Sequence, residues 1–318
     1  MSAYAADLAA VRDAAARIAG RARRTPVATC RTLDQLAGRS LFFKCEQYQK
    51  SGSFKFRGAC NAVMKLSDAD AARGVATHSS GNFAQAVALA ARARGIAAHL
   101  VMPKSAPAVK RRAVEGYGAR VVPCATALAA RESMLAQVLA ETGASALHPY
   151  DHADVIAGQG TAALELLEEV PDLDAVIAPV GGGGLLAGIA VAATALRPGI
   201  RIFGAEPQGA DDAARSKQAG HVIPMTAPDT IADGLLTSLG TLTWPVLRDQ
   251  VEAIVTVGEA EIVAAMRLAW ERGKLLIEPS AAVALAAVLH LSFRALHGVE
   301  RVGVVLSGGN VDLDRLPW

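Results

Sequence analysis

From about residue 73 the chain alternates short β-branched runs with alanine-rich stretches of helical spacing: "GVATHSS", "GNFAQAVALAARARG", "IAAHLVMP", "APAVKRRAVEGYG", "ARVVPC", then a helix through about Thr142. Strands joined by helices pair in parallel, since only a long crossover returns the chain to run in the same direction. The alternation resumes with "DAVIAPV", "LLAGIAVAATAL" and "RIFGAEP", passes through two helices at about 259–272 and 279–290, and closes on "RVGVVLSGGN". Parallel sheets need helices on both faces, so the expected class is α/β with open parallel sheets. The alternation breaks at "HPYDHADVIAGQG", residues 148–160, where turn residues cluster. Two lobes are therefore expected: a small one at 73–148, and a large discontinuous one built from 1–72 and 149–318, with a cleft between them. Ligands of such sheets bind at the carboxyl ends of the strands.

Composition narrows the function. The 318 residues are 52% hydrophobic and 19% charged with a formal net charge of +2, enough apolar surface for one large core or two modest ones. Charges of both signs are interspersed and aromatics make up 4%, so neither a basic stripe nor a stacking platform for nucleic acid is present. The apolar runs are broken well short of the ~20 residues that cross a bilayer. The N-terminal "MSAYAADLAAVRDAAARIAGRARR" carries Asp7 and Asp13 and reads as an amphipathic helix rather than a signal peptide, which makes the cytoplasm the expected location. Cys30, Cys45, Cys60 and Cys124 form no CxxC pair, so neither a disulfide framework nor a structural zinc site is expected.

Three glycine-bearing loops end predicted strands. "VGGGGLLAG" lies between a hydrophobic strand and a hydrophobic helix, and four consecutive glycines let backbone amides close around an anion such as phosphate. "SSGN", Ser79 to Asn82, places hydroxyls and amides at a helix start, which serves either an anion or an ordinary N-cap. "LSGGN", Ser307 to Asn310, is the third. In "KSGSFKFRG" Lys55 stands between Phe54 and Phe56. Desolvation among rings would lower its pKa and expose a nucleophilic amine, whereas an exposed lysine on an amphipathic segment would do neither. A rival reading takes Gly182, Gly184 and Ala187 as G-x-G-x-x-A and Glu206 as a ribose-binding acid of a nicotinamide-dependent oxidoreductase. That fingerprint normally opens its domain, and it leaves "SGSFK" and "SSGN" without a role. A convergent lysine, phosphate cradle and hydroxyl point instead to pyridoxal phosphate.

These blocks also carry a resemblance. "LFFKCEQYQKSGSFKFRGACNAV", "THSSGN", "HPYD", "VIAGQGTAALE", "PVGGGGLLAG", "GAEPQGADDA", "TIADGL", "WERGKLLIEPSAAVALAAV" and "VVLSGGNVDL", from about Arg24 to Leu313, together resemble the fold-type II pyridoxal-phosphate enzymes of the serine racemase and serine/threonine dehydratase family. That resemblance implies a tryptophan synthase β-like fold with the active site between the two lobes. It implies that Lys55, packed by Phe54, carries the cofactor and acts as the Cα base, that Asn82 bonds the ring hydroxyl, that Gly181, Gly182, Gly183, Gly184 and Leu185 hold the phosphate, and that Ser307 faces the pyridine nitrogen. A hydroxyl partner leaves that nitrogen largely unprotonated and makes the ring a weaker electron sink than an aspartate would.

Further roles follow from the same resemblance. Ser79, Ser80, Gly81 and Asn82 would bind the substrate carboxylate, with Arg131 and Thr237 as further pocket residues, and Ser80 would serve the opposite face of Cα in racemisation. Glu206, the Ala210 carbonyl and Asp212 would bind Mg²⁺ or Ca²⁺. Lys50, Ser51, Gln85, Tyr117, Lys274 and Asn310 match a nucleotide effector site. The implied activity is dehydration of serine, threonine or a related β-hydroxy amino acid by a homodimer, with amino acid racemisation or 3-hydroxyaspartate dehydration as alternatives. The family usually reads SSGNH where this chain reads "SSGNF", so Phe83 replaces a titratable imidazole and puts the usual substrate preference in question.

Overall fold

The computed structural model describes residues 4–79, 81–104 and 108–318, with backbone alone at 108–110 and 128. It is α/β with two sheets. The larger holds six strands: β1 (Val27–Ala28), β2 (Ser40–Cys45), β7 (Ala175–Pro179), β8 (Arg201–Pro207), β9 (Ala253–Val257) and β10 (Arg301–Leu306), in the order β1-β2-β10-β7-β8-β9. Only the short β1 runs antiparallel, against β2; the other pairings are parallel. The smaller sheet holds β3 (Val75–His78), β4 (Ala98–Pro103), β5 (Arg120–Cys124) and β6 (Ser145–Ala146) in the order β5-β4-β3-β6, all parallel. Among the described residues no helix is long and apolar enough to cross a membrane.

Strand β7 is buried along its whole length and its neighbour β10 nearly so, as a parallel sheet covered on both faces requires. The helix 259–272 expected from spacing is α-helical from Glu259 to Leu268 and then widens to a π-turn over Ala269–Gly273. There Lys274 takes a left-handed conformation, φ 55°, and Trp270 donates Nε1–H to the Ile277 carbonyl. The extra residue of a π-turn has no periodic signature in sequence.

"VIAGQGT" is explained by helix packing. The helix Ala153–Glu169 lies between the Lys55–Lys65 helix on one side and the Gly184–Leu196 helix on the other. A Cβ at Gly158 would meet Gly58 Cα at 2.6 Å, and one at Gly188 would meet the Ile156 carbonyl oxygen at 2.4 Å and Gly160 N at 2.6 Å. Backbone therefore touches backbone on both sides. Gln159, fully buried between these contacts, accepts a hydrogen bond from Gly58 N at 3.1 Å. The middle helix thus acts as a spacer between the helix that begins at Lys55 and the helix that begins at the glycine turn.

Candidate active site

Lys55 is the first residue of its helix, and the strand-end pairing beside it sets its place. Phe54 N donates to the Ser307 carbonyl at 3.0 Å and Ser53 bridges to Gly308, so the turn before Lys55 is zipped to the loop after β10. Two residues along the helix, Arg57 is fully buried and forked onto Glu46 (2.8 Å) and Glu165 (2.6 Å), with buried Lys44 completing the cluster at Glu165, 2.6 Å away. Two cations face two carboxylates, which lets Lys44, Arg57 and Glu46 stay out of water while Glu165 remains partly exposed, and anchors the helix to β2 and to the spacer helix.

The lysine ammonium lies deep although the residue as a whole is partly exposed. Its Nζ donates to the Pro149 carbonyl at 2.8 Å and sits 5.0 Å from the Phe54 ring and 5.7 Å from the Phe83 ring. Burial pushes the amine down to about 8, against a smaller upward pull from the Glu278 carboxylate. The expected flanking pair was Phe54 and Phe56; Phe56 instead turns into the core, with Lys50 Nζ 5.9 Å from its ring. At about 100° per residue, Phe54 and Phe56 two positions apart project about 200° from each other, so both cannot face one amine, and Phe83 of the next helix supplies the second ring.

Phe83, 2% exposed, is closed into the small-sheet core, and its ring is turned to Lys55. Asn82 opens the helix Asn82–Arg94 after Gly81. Its Nδ2 donates to Glu278 Oε1 and its Oδ1 accepts from Asn310 Nδ2, both at 2.8 Å, while Asn310 also reaches the Ser51 carbonyl at 2.8 Å. Glu278 is thus a site residue to which the block "WERGKLLIEPSAAVALAAV" assigned no role. It stands just before the Pro279–Leu289 helix and its field reaches Lys55, yet in sequence it is one acid in an alanine-rich stretch.

Gly183 in the glycine turn has φ +86°, which favours glycine. A Cβ at Gly182 would lie 2.2–2.4 Å from the Tyr150 ring and one at Gly181 3.1 Å from Leu235 Cα. The turn has no room for side chains, which leaves backbone amides as its polar groups, and helix Gly184–Leu196 starts with buried Leu185 on the carboxyl end of β7. This fits a phosphate. Thr237 Oγ1 is 3.4 Å from the same Gly181 position and hydrogen-bonds the Tyr150 side chain. Ser307, nearly buried, stands at the end of β10, and Ser53 Oγ beside it is buried with no partner among the described residues. The structure therefore brings together Lys55, Phe54, Asn82, Phe83, Gly181–Gly184, Thr237 and Ser307 at strand ends. Ser79 lies at the end of β3, where its Oγ accepts from Gly81 N at 3.4 Å. Ser80 lies outside the described residues. Arg131, on the Leu128–Thr142 helix, acts on His78 and Cys124 at the small-sheet side, with its Nε buried and unpartnered among the described residues.

Glu206 at the end of β8 and Asp212 at the start of the Asp212–Ala219 helix are both fully buried. Glu206 accepts from Ala213 N (3.1 Å) and Ala214 N (2.8 Å); Asp212 Oδ2 accepts from Leu239 N (3.2 Å), and its Oδ1 has no partner among the described residues. Burial first, then the neighbouring carboxyl, pushes Glu206 well above the carboxylate range, and burial raises Asp212. Among the described residues no group of three His, Cys, Asp or Glu forms a metal site, so a cation here would draw on two carboxylates and the carbonyl of buried Ala210. Hard oxygen donors with an orphaned oxygen fit Mg²⁺ or Ca²⁺.

Residues 18–308 match the family model described as pyridoxal-phosphate dependent enzyme. The chain is 52% identical over 316 residues to a serine racemase of Arabidopsis thaliana, covering 98% of this chain and 96% of the relative. It is 50% identical over 302 residues to a beta-hydroxyaspartate dehydratase of Paracoccus denitrificans (strain Pd 1222), covering 95% of each. The solved structure of maize serine racemase superposes with a TM-score of 0.97 at 49% identity, over 98% of this chain and 95% of that one.

Proposed function

The chain belongs to the fold-type II pyridoxal-phosphate-dependent enzymes, and from that premise we propose that it is a dehydratase of small β-hydroxy amino acids, releasing a 2-keto acid and ammonia from L-serine, L-threonine or 3-hydroxyaspartate. The observation that carries this reading is Lys55, an amine held near pKa 8 and bonded to Pro149, next to the Tyr150 ring that covers the four-glycine turn. When bound, pyridoxal phosphate supplies the electron sink that acidifies the substrate Cα–H. Gly181 to Gly184 and Leu185 would hold its phosphate, Asn82 its ring hydroxyl and Ser307 its pyridine nitrogen. Lys55, partly neutral near pH 8, removes the Cα proton as general base. Ser79, Ser80, Gly81 and Asn82 hold the carboxylate where a helix N-terminus favours an anion. Arg131 and Thr237 border the substrate from the two sheets, and the lobe at 73–148 closes over it. The assembly is a cytoplasmic homodimer, with Lys50, Ser51, Gln85, Tyr117, Lys274 and Asn310 as a nucleotide effector site.

Racemisation by Lys55 and Ser80 from opposite faces is the second reading, favoured by the serine racemases among the relatives. A panel of β-hydroxy amino acids, assayed for both keto acid release and enantiomer interconversion, separates the two. Keto acid without the opposite enantiomer supports the dehydratase; the opposite enantiomer without keto acid replaces it with the racemase.

Glu206, the Ala210 carbonyl and Asp212 are proposed to hold a divalent cation, which would let both buried carboxyls ionise together. Chelation is expected to lower the melting temperature by several degrees, and added Mg²⁺ or Ca²⁺ to restore it. In Glu206→Gln that cation-dependent rise disappears; a rise equal to wild type would remove Glu206 from the site. Phe83→His introduces a polar ring into an apolar pocket 5.7 Å from Lys55. The expected result is about 1–3 kcal/mol lower stability and a changed ratio of serine to threonine turnover. An unchanged ratio would show that Phe83 does not set substrate preference.

A further inference from the structure

The crossover His148–Asp151 touches both halves of the site. At one end its Pro149 carbonyl accepts from Lys55 Nζ at 2.8 Å, and its Tyr150 ring lies over Gly182. It is closed on itself by Asp151 N donating to His148 Nδ1 at 2.9 Å, an acceptor role that needs a neutral ring; burial keeps His148 neutral by pushing it down to about 4. At the other end the Asp151 carboxylate accepts three hydrogen bonds from one loop. Thr241 N (3.0 Å) and Thr241 Oγ1 (2.9 Å) reach Oδ2, and Leu242 N reaches Oδ1 at 2.7 Å. That loop in turn holds the glycine turn: Gly240 N at 3.2 Å and Thr243 Oγ1 at 2.8 Å both donate to the Gly182 carbonyl. A Cβ at Gly240 would come within 2.3 Å of Asp151 Oδ1, so the loop passes too close to the carboxylate to carry a side chain.

We infer that Asp151 is a positioning residue for the cofactor site, tying the crossover that receives Lys55 to the loop that holds the phosphate-binding turn. Asp151 touches neither Lys55 nor the glycine turn; it acts through Pro149 on one side and through residues 240–243 on the other. A carboxylate suits this task because acceptor oxygens alone satisfy two backbone N–H groups and a hydroxyl, and charge-assisted bonds are shorter and stronger than neutral ones. The inference rests on the reading of Gly181–Gly184 as the phosphate cradle.

The test compares Asp151→Ala with Asp174→Ala. Asp174 likewise accepts two backbone N–H groups, from Glu300 and Arg301 at 2.9 Å each, but at the amino end of β10, the end of the sheet away from the site. Pyridoxal 5'-phosphate dissociation is measured by equilibrium titration of cofactor-stripped protein, with thermal unfolding alongside. Asp151→Ala is expected to weaken cofactor binding about tenfold, Asp151→Asn less, and Asp174→Ala not at all at a similar loss of stability. Thr241→Val, which removes one bond, is expected to weaken binding a few-fold and serves if Asp151→Ala fails to fold. Wild-type affinity in Asp151→Ala or, failing that, in Thr241→Val overturns the inference, as does an equal loss in Asp174→Ala. Cofactor binding by the wild-type protein is the separate check on the cradle itself.

Discussion

Lys55→Ala is expected to fold, to lose the borohydride-reducible covalent link to pyridoxal phosphate, and to lose turnover of every β-hydroxy amino acid by about a thousandfold or more. The physical reason is the desolvated Lys55 amine, which unlike buried Lys44 has no carboxylate bonded to it among the described residues. At pH 8 a lysine with pKa about 8 is half neutral, roughly 150-fold more than an ordinary lysine. The variant should not be less stable at neutral pH. A lysine whose folded pKa lies below its unfolded value of 10.5 weighs against the fold at low pH, and that penalty is relieved as pH rises from about 8 to 10.5. Removing it is therefore expected to be neutral or to stabilise the cofactor-free protein below pH 8, since the Pro149 hydrogen bond and the contacts with Phe54 and Phe83 offset part of the relief. Absorbance of the loaded proteins, and borohydride reduction followed by peptide mass mapping, check the assignment. Lys55→Ala protein fixing the cofactor on borohydride reduction to the wild-type extent, or cofactor fixed on another lysine of the wild type, would refute it.

Gly188→Ala is the second large effect expected, at a residue that touches no ligand. Its new Cβ would press on the Ile156 carbonyl oxygen at 2.4 Å and on Gly160 N at 2.6 Å. Both are backbone atoms of a helix already held from its other side by Gly58, so neither can swing aside as a flexible side chain would. The two helices must separate, and overpacking of this kind costs about 1–3 kcal/mol or more. The separation also moves the glycine turn relative to Lys55, because one begins the Gly184–Leu196 helix and the other the helix on the far side of the spacer. A lower melting temperature and weaker cofactor binding are expected together. Gly116→Ala is the control: its Cβ would meet nothing within 4 Å, and alanine favours the end of that helix. A Gly188→Ala protein that melts with wild type would mean that the helices have room the structure does not show.

The glycine contacts show where sequence reading stops. "VIAGQGT" is visible as a motif, but that Gly158 faces Gly58 and Gly160 faces Gly188 depends on which faces of three helices meet. The same holds for Phe56, whose neighbours in the chain suggested a ring against Lys55 and whose helical phase turned it away. Glu278 and Asp151 lie within quoted blocks, "LLIEPSAAV" and "HPYD", but nothing local assigns either a role. Each acts through partners about 90 to 200 residues distant, Asn82 for the one and Thr241 and Leu242 for the other.

What the amino-acid sequence determined by itself was the alternation of strands and helices from about residue 73, though not β1, β2, β6 or β9, together with the α/β class and the loops that carry Lys55, Asn82, the four glycines and Ser307. These follow from periodicity and from glycine's conformational freedom, which act over a few residues. The tertiary structure decided which side chains share one volume: that Phe83 rather than Phe56 joins Phe54 at the lysine, that Glu278 orients Asn82, and that Asp151 joins the crossover to the glycine turn. Those choices depend on close packing between elements far apart in the chain, where a few tenths of an ångström decide what fits and where no local pattern records the outcome.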